Sequence, residues 1–447
     1  MRATFIHTAD NHLGYEQYGL KERFNDFARA FLAVVDAAVA RRADCFVIAG
    51  DLFNKRAIDA LTLMQAQEGL QRLQAAGIPA IAIEGNHDRS YYRDGVSWLQ
   101  FLCWQKLLIL LNPLVEDGVP RLTPWDAEAM RGAYYDLPGA SGSATGGERL
   151  RIYGLPWYGT STARVMENFA GELAAAHARE QAEGVTYRVL MMHTGVEGIV
   201  PQMHGLPTYE QFQPLRGLVD YVALGHIHKQ YERDGWLYNP GSTETWGAEE
   251  SAWERGYYVA RIETDAPEGA PRHAVEHVIN PRRPFIRHTL RVDGVVDPTA
   301  LYERLDVKAA GWVREDAEKL AASPLEPVID LSLTGVLGFD QGAYDKARLE
   351  EIVRQYYDAL TVRIHDGTRD TEWDLGEEEG GDGRDRSTWQ QLEVHIFQEL
   401  IARDARYTAQ APQWAKVLSD VKTMALAGDE PSGVARRLRE ARAELAN

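Results

Sequence analysis

Apolar positions in the first 280 residues alternate between short runs and longer stretches with helical spacing. Six short runs, several closed by Gly or Asp, predict strands at Thr4–Thr8, Cys45–Ala49, Ala80–Glu84, Arg151–Leu155, Arg188–Met192 and Tyr221–Leu224. Between the first three strands, apolar residues recur every three or four positions from Phe24 to Ala38 and from Leu61 to Leu73, which predicts two helices. This alternation predicts an α/β domain in which the sheet is largely buried.

The pattern changes after an Arg-Arg pair flanked by Pro281 and Pro284. Strands at Phe285–Val292, Val328–Leu333 and Leu360–Ile364, separated by helical stretches, predict a small β-α-β-α-β domain. An acidic, Gly-rich segment then predicts a flexible linker, and helical spacing from Trp414 to Ala425 predicts a helical tail. The predicted divisions are residues 1–282, 283–367, 368–387 and 388–447.

One run is apolar enough to raise the question of a membrane span. Phe101–Val115 is interrupted by polar residues and is shorter than the roughly 20 apolar residues that a bilayer requires, so it predicts a buried helix. The sequence opens without the layout of a signal peptide. Two cysteines, Cys45 and Cys103, are too few for a disulfide framework, and a reducing cytoplasm is the expected compartment.

The charge balance limits the range of functions. The chain has 48 Lys and Arg residues against 66 Asp and Glu residues, a formal net charge of −18. A surface this acidic repels the phosphate backbone, which argues against indiscriminate binding to nucleic acid. It does not exclude a nuclease, because metal ions can reverse the local field at a site.

Five short polar motifs follow the predicted strands, each at or within one residue of a strand end. They are Asp10-Asn11-His12, Gly50-Asp51, Gly85-Asn86-His87-Asp88, His193 and Gly225-His226-Ile227-His228. In open α/β sheets the carboxyl ends of the strands border one crevice, so these side chains are expected to meet there. The glycines before Asp51, Asn86 and His226 are expected to permit tight turns.

The residue types then predict metal chemistry. Carboxylates, an amide and several imidazoles suit manganese, iron or zinc, and seven ligands fit two ions that share a carboxylate, best assigned to Asp51. His87 is left over beside the ligand Asn86, where it could protonate a leaving oxygen. Asp88 is expected to fix the tautomer of His87.

These motifs, in this order, resemble those of the calcineurin-like metallophosphoesterase superfamily. The resemblance implies a two-sheet α/β sandwich with a dinuclear metal site. By this resemblance one metal is held by Asp10, His12, Asp51 and His228. The other is held by Asp51, Asn86, His193 and His226.

A narrower resemblance, to double-strand-break repair nucleases of the SbcD type, rests on longer segments. These are Ile6–Gly14, Gly50–Phe53, Gly225–His228 and Asn239–Glu244, together with the order of nuclease domain, capping domain and helical tail. It implies a manganese-dependent DNA nuclease with 3′→5′ exonuclease activity on duplexes and endonuclease activity on single strands. It also implies a coiled-coil ATPase partner of the SbcC type and a homodimer.

The chain departs from this family at Asn54, where many members carry a histidine thought to position the phosphate. Substrate contacts are expected from Asn54 and from four residues near the metal motifs: Lys55, Arg56, Arg89 and Tyr91. His7 is predicted to be a structural histidine, and His204 a surface residue.

Two predicted surfaces concern partners. An apolar helical face beyond an acidic linker needs something to cover it, so residues 388–447 are expected to bind the ATPase. The helical stretches Leu61–Leu73 and Val96–Leu111 are candidates for the homodimer surface. Two alternatives to the DNA nuclease stay open: a phosphodiesterase for nucleotides or small phosphodiesters, and a non-enzymatic scaffold that tethers DNA ends.

Overall fold

The computed structural model describes residues 1–90, 95–138, 147–265, 270–370, 393–398, 400–401, 407–426 and 431–445. The chain divides into two compact units, Met1–Thr371 and Glu372–Asn447.

The first unit alternates strands and helices through most of its length. Its strands are β1 Arg2–Thr8, β2 Cys45–Ile48, β3 Ala80–Ala82, β4 Ile109–Leu110, β5 Val115–Glu116, β6 Val119–Pro120, β7 Tyr134–Pro138, β8 Arg149–Leu155, β9 Val185–Met192, β10 Tyr221–Leu224, β11 Tyr231–Arg233, β12 Leu237–Asn239, β13 Gly256–Glu263, β14 His273–Ile279, β15 Phe285–Arg291, β16 Val328–Leu337 and β17 Thr361–Asp370. Its α-helices are α1 Lys21–Arg41, α2 Ala60–Ala75, α3 Trp98–Trp104, α4 Thr162–Ala182, α5 Tyr209–Phe212, α6 Pro298–Glu315, α7 Ala317–Ala321 and α8 Lys346–Tyr356.

Two six-stranded sheets form the centre of this unit. Their strand orders are β14-β13-β1-β2-β3-β4 and β11-β12-β10-β9-β8-β7. Apolar side chains from both sheets, such as Phe5 and Val47 from one and Val189 and Ala223 from the other, form a shared buried core. Helices α1 and α2 cover the outer face of the first sheet, and α4 covers that of the second. The predicted two-sheet α/β sandwich is therefore confirmed.

Strand register brings the polar motifs to one edge. In the first sheet Thr8 pairs with Ile48 in parallel, and Ile48 pairs with Ala82, so the residues that follow these strands leave the sheet at one level. In the second sheet Leu224 pairs with Met192, which places the residues after β9 and β10 level as well. The loops that follow all five strands therefore border one crevice.

The prediction of a helix over Phe101–Val115 is wrong. Helix α3 begins after Ser97, whose hydroxyl accepts a hydrogen bond from the Gln100 amide at 3.1 Å, and it ends at Trp104. Lys106 then adopts a left-handed backbone with φ 60°, and the chain turns so that Ile109–Leu110 pairs with β3. An apolar run without clear periodicity suits a buried helix or a buried strand equally well.

The third sheet, β15-β16-β17, is parallel and carries its own apolar core with helices α6 and α8. Its last strand reaches Asp370, so the first residues assigned to the linker belong to this strand. The boundary between a nuclease domain and a capping domain near residue 282 stays a prediction.

A buried carboxylate joins the segment that leads into the third sheet to helix α1. Asp26 accepts hydrogen bonds from Arg283 Nε at 2.7 Å and from Arg23 Nη1 at 2.6 Å, and all three side chains are buried. Arg283 also donates to the backbone carbonyl of Glu326 at 2.5 Å, which ties the joint to the turn before β16. Removing one charge from such a group leaves the others buried and uncompensated.

We expect Asp26→Asn to lower the free energy of unfolding by about 3 kcal/mol. The arginines outweigh burial and hold the pKa of Asp26 below its usual range, so its contribution is present at neutral pH and is lost as the pH falls below about 4. Urea unfolding at pH 7 measures the change. Asp36→Asn, in the exposed part of the same helix, is the matched control, and equal midpoints for the two variants would contradict the prediction.

The second unit contains helices α9 Ala411–Leu426 and α10 Pro431–Glu444, and residues 393–398 and 400–401 are also helical. Arg437 on α10 forms an ion pair with Asp420 on α9 at 3.0 Å, and Ala415 and Ala441 are fully buried. The helix predicted from Trp414 to Ala425 lies within α9. No helix in the described parts of the chain combines the length and the apolarity that crossing a membrane requires.

Candidate metal centre

The predicted ligands meet at the carboxyl ends of the strands. Three groups of ionisable side chains each place one ligand atom per residue within 4.8 Å of the others: Asp10, His12 and His228; His12, Asp51 and His87; and Asp10, Asp51 and His193. Asp10 and Asp51 occur in two groups each, which makes the groups one continuous cluster.

The amide of Asn86 completes the cluster. Its Oδ1 lies 3.1 Å from Nε2 of His193 and 3.0 Å from Nδ1 of His226. His193 Nε2 also lies 3.3 Å from Oδ2 of Asp51. The structure thus brings all seven predicted ligands together, although they come from five separate stretches of sequence.

Hydrogen bonds outside the cluster aim the histidine rings into it. Nδ1 of His193 lies 2.8 Å from the backbone carbonyl of Ala49, and Nδ1 of His228 lies 2.8 Å from the Glu250 carboxylate. These acceptors require a proton on Nδ1, so Nε2 of each ring points into the cluster and carries the lone pair whenever the ring is neutral. Nε2 of His228 lies 3.0 Å from Nε2 of His12.

Burial and neighbouring charges set the protonation states. Burial raises the pKa of Asp10 to about 6, whereas at Asp51 the neighbouring histidines outweigh burial and hold the pKa well below its usual range. Burial lowers the pKa of His12 and, with His193, lowers that of His226 to about 3. At His193 burial favours the neutral ring, but the Asp51 carboxylate outweighs it and raises the pKa to about 9.

The donor set fits divalent cations. Two imidazole nitrogens that face each other at 3.0 Å, beside two buried carboxylates, form a pocket of converging lone pairs. Mixed oxygen and nitrogen donors suit divalent transition metals, and neutral imidazoles are the form that binds them. Cation binding at His193 would release the proton that the ring otherwise shares with Asp51.

Four of the seven ligands adopt a left-handed backbone conformation that residues other than glycine rarely adopt. Their φ angles are 51° at Asp10, 48° at His12, 52° at Asp51 and 82° at His226. The fold compensates with hydrogen bonds. The amides of Asp10 and His12 donate to the carbonyls of Gly50 and Asp51 at 3.1 Å, and the His226 amide donates to the Asp10 carboxylate at 2.9 Å. Strain held in this way is typical of functional sites.

Two of the three glycines before the ligands serve a different purpose from the one predicted. Gly50 does have a positive φ of 92°, but Gly85 and Gly225 do not. A Cβ at Gly85 would overlap the carboxylate of Asp51, and a Cβ at Gly225 would overlap the carbonyl of Ala49. These two positions need glycine because other groups of the site approach them closely.

The predicted partner of His87 is also corrected. Nδ1 of His87 lies 2.7 Å from the backbone carbonyl of Asn54, which fixes the tautomer that Asp88 was expected to fix. Asp88 is buried and accepts hydrogen bonds from the amides of Gly85 and Phe53, both at 3.0 Å. Asp88 therefore stabilises the loops through their backbone amides. Nε2 of His87 lies 4.0 Å from Asp51 Oδ2, and the side chain of His87 is one-third exposed.

The predicted substrate contacts lie in different environments. Lys55, Arg56 and Arg89 are exposed; Arg56 Nη2 lies 3.4 Å from the carbonyl of Asn86, and the Arg89 guanidinium lies over the ring of Trp157. Tyr91 lies outside the described residues. The side chain of Asn54 is buried, and its Oδ1 accepts a hydrogen bond from the indole of Trp246 at 3.1 Å, so this oxygen is already engaged within the fold. Its contact with phosphate stays a prediction.

Two other histidines agree with their predicted roles. His7 is fully buried, with one ring nitrogen 3.0 Å from the Tyr221 hydroxyl and the other 3.0 Å from the Leu224 carbonyl. Burial lowers its pKa to about 3, so it is neutral and structural. The side chain of His204 is 79% exposed.

Glu250 and Arg255 support the site but were not predicted from the sequence. Arg255 is fully buried and donates to the Glu250 carboxylate at 3.0 Å and to the carbonyl of His228 at 2.9 Å. It thereby holds the carboxylate that orients the His228 ring. In the sequence, Arg255 belongs to the segment Trp253-Glu254-Arg255, which begins 25 residues beyond His228. Nothing in this segment indicated that it supports the metal site.

We expect Glu250→Gln to weaken metal binding by about 10- to 100-fold, since a neutral amide orients the His228 ring but does not raise its basicity. Titration of the protein with Mn²⁺ against a competing chelator measures the change. Glu254→Gln, at a side chain that is 67% exposed, is the matched control. Equal affinities for the two variants would show that the contact with Glu250 does not tune the metal site.

Comparisons with known proteins agree with this geometry. The chain is 32% identical over 255 residues to the DNA double-strand break repair protein Mre11 of Archaeoglobus fulgidus, an alignment that covers 56% of this chain and 52% of that protein. The Mre11 protein of Methanosarcina mazei is 27% identical over 300 residues, covering 66% of this chain and 40% of that protein. The chain thus spans about half the length, or less, of these curated relatives.

The sequence model of the calcineurin-like phosphoesterase family matches residues 3–230, which include every predicted ligand. The predicted superfamily is therefore confirmed, and the similarity to Mre11 proteins agrees with the narrower resemblance to double-strand-break repair nucleases. With half of its length matched, the chain belongs to the calcineurin-like phosphoesterase family.

Proposed function

We propose that this protein is a metal-dependent DNA nuclease that processes DNA ends in double-strand-break repair. The observation that carries the proposal is the cluster of two carboxylates, an amide and four imidazoles beside the one-third-exposed His87. Divalent cations at such a site supply charge neutralisation at a phosphodiester and activation of water for attack on phosphorus.

The residues of the chain have separate parts in this reaction. Asp10, His12, Asp51 and His228 would hold one cation, and Asp51, Asn86, His193 and His226 the other. His87, with Nδ1 bonded to the Asn54 carbonyl, presents Nε2 to the cleft and would protonate the departing 3′-oxygen. Exposed Lys55, Arg56 and Arg89 would attract the phosphate backbone to the rim of the cleft.

The proposals for the metal, the cleavage activities and the partners rest on the resemblance to SbcD-type nucleases and on the relatives' names. We propose manganese as the metal, 3′→5′ exonuclease activity on duplexes and endonuclease activity on single strands. We also propose that the chain is the nuclease subunit of an SbcCD-like complex and forms a homodimer through helices of its first unit. The similarity to proteins named for double-strand break repair supports this reading.

Digestion of duplexes labelled at the 3′ or the 5′ end, with manganese, with magnesium and with EDTA, tests the nuclease. We expect manganese-dependent release of label that starts at the 3′ end and stops with EDTA. Cyclic nucleotides and bis-p-nitrophenyl phosphate serve as comparison substrates. Hydrolysis of these without digestion of DNA would favour a small phosphodiester as substrate, and hydrolysis of none would favour a tethering scaffold.

We propose that residues 388–447 bind the ATPase partner. Support comes from the amphipathic helix α9, on which Trp414, Val421 and Met424 stay half-exposed. Deletion of residues 388–447 is expected to abolish capture of the chain by an immobilised SbcC-type ATPase. Undiminished capture of the shortened chain would show that the ATPase binds elsewhere.

A further inference from the structure

The cleft that borders the metal centre has two chemically different walls. It has a volume of about 640 Å³, and five of its lining residues belong to the proposed reaction centre and are called the first wall: Asp51, Asn86, His87, His226 and His228. Four half-buried apolar or aromatic side chains also line the cleft and are called the second wall: Val200, Met203, Trp246 and Trp253. Gln202, Glu249 and Glu250 complete the lining. The chemistry of phosphodiester cleavage requires only the first wall, so the second wall needs its own explanation.

The aromatic part of this second wall is held in place. The indole N–H of Trp246 donates to Oδ1 of the buried Asn54, and its ring stacks on Tyr15 with centroids 5.3 Å apart. The Arg255 guanidinium lies 5.8 Å from the ring of Trp253. Rings fixed before a ligand arrives bind it at a smaller entropic cost.

The charges on this side of the cleft indicate what can occupy it. Glu249 and Glu250 line the cleft beside the two tryptophans. Glu250 is engaged by His228 and Arg255, whereas Glu249 is exposed. A carboxylate beside an apolar wall repels a second phosphate group, but it accepts hydrogen bonds from the amino groups on nucleobase edges. The wall therefore suits a base better than a phosphate.

We propose that Val200, Met203, Trp246 and Trp253 form a subsite for the nucleobase of a nucleotide adjoining the scissile phosphodiester, an inference that rests on the proposed nuclease function. The base packs on the tryptophans, and Glu249 accepts from its exocyclic amino group. Asn54 is then a positioning residue: its side chain holds Trp246, and its backbone carbonyl holds His87. A filled subsite places the phosphodiester between His87 and the metal ligands.

Single-turnover cleavage of oligonucleotides with and without a base tests the subsite. The three substrates are the normal strand and two strands that carry a tetrahydrofuran abasic residue on one or the other side of the cleaved bond. We expect the wild-type protein to cleave one of the two abasic strands about 10-fold more slowly, the size of effect that loss of base stacking produces. Trp253→Ala should cleave the normal strand about 10-fold more slowly, with no further loss on that abasic strand.

Two comparison variants separate stacking from general damage. Trp253→Phe keeps an aromatic ring and should recover most of the rate on the normal strand. Val307→Ala, at a side chain that is 73% exposed on α6, should behave as wild type on all three substrates. Metal content is measured for each variant, so that a loss of cations is not mistaken for a loss of stacking.

The possible outcomes distinguish the two proposals. If the wild type cleaves all three strands at equal rates, or if the losses from Trp253→Ala and from the missing base multiply, the subsite is refuted while the nuclease function stands. If the wild type cleaves none of the strands, the nuclease function fails and the subsite with it.

Discussion

Asp51→Ala is expected to leave fewer than one metal ion per chain and to lower DNA cleavage by at least about 10³-fold. The residue is almost fully buried, and in the proposed arrangement it is the ligand common to both cations. Its Oδ2 lies 3.3 Å from His193 Nε2, and its Oδ1 accepts a hydrogen bond from the His87 amide at 2.9 Å. Loss of the carboxylate therefore removes negative charge from both halves of the cluster.

Elemental analysis of the purified variant, alongside the wild type, gives the metal content directly. Asp51→Asn is the informative partner, because it keeps an oxygen for the His87 amide and removes only the charge. It should retain the fold, as judged by circular dichroism, and still bind less metal. Asp36→Asn serves as the surface control. Two ions per chain in Asp51→Ala would disprove the bridging role.

The ligands themselves could be predicted because each follows an apolar strand within four residues. Parallel strands such as β1, β2 and β3 end at one level, so the sequence alone predicts that Asp10, Asp51 and Asn86 lie at one edge of the sheet. Residue type then limits the chemistry. The positions of the ligands and their residue types therefore predicted the same metal site. The sandwich fold was predicted from the alternation of strands and helices.

The hydrogen-bond partners that orient the histidine side chains could not be predicted from the sequence in the same way. The acceptor for His87 is the backbone carbonyl of Asn54, and the acceptor for His193 is that of Ala49. Every residue has a carbonyl, so neither partner leaves a mark in the sequence. Asp88 looked like the partner of His87 because it is the adjacent carboxylate, but its oxygens accept from backbone amides. Local spacing predicted the cluster, and tertiary contacts decided the tautomers.

His87→Gln is expected to lower kcat for DNA by about 10²- to 10⁴-fold while metal content and KM change little. The ring is fixed through Nδ1 and lines the cleft, and it belongs to neither set of proposed ligands. Glutamine can still donate a hydrogen bond, but it cannot transfer a proton to the departing 3′-oxygen. The loss thus falls on the chemical step, which single-turnover cleavage with saturating protein measures.

The choice of leaving group separates an acid from a residue that only positions the substrate. A p-nitrophenolate ion departs without a proton, whereas a 3′-alkoxide needs one, so the loss with bis-p-nitrophenyl phosphate should be much smaller than with DNA. Asn54 supplies a carbonyl that the substitution at His87 does not alter, so the loop is expected to keep its shape. Equal losses on both substrates would mean that His87 acts by binding the phosphate, and wild-type rates on DNA would remove it from the reaction altogether.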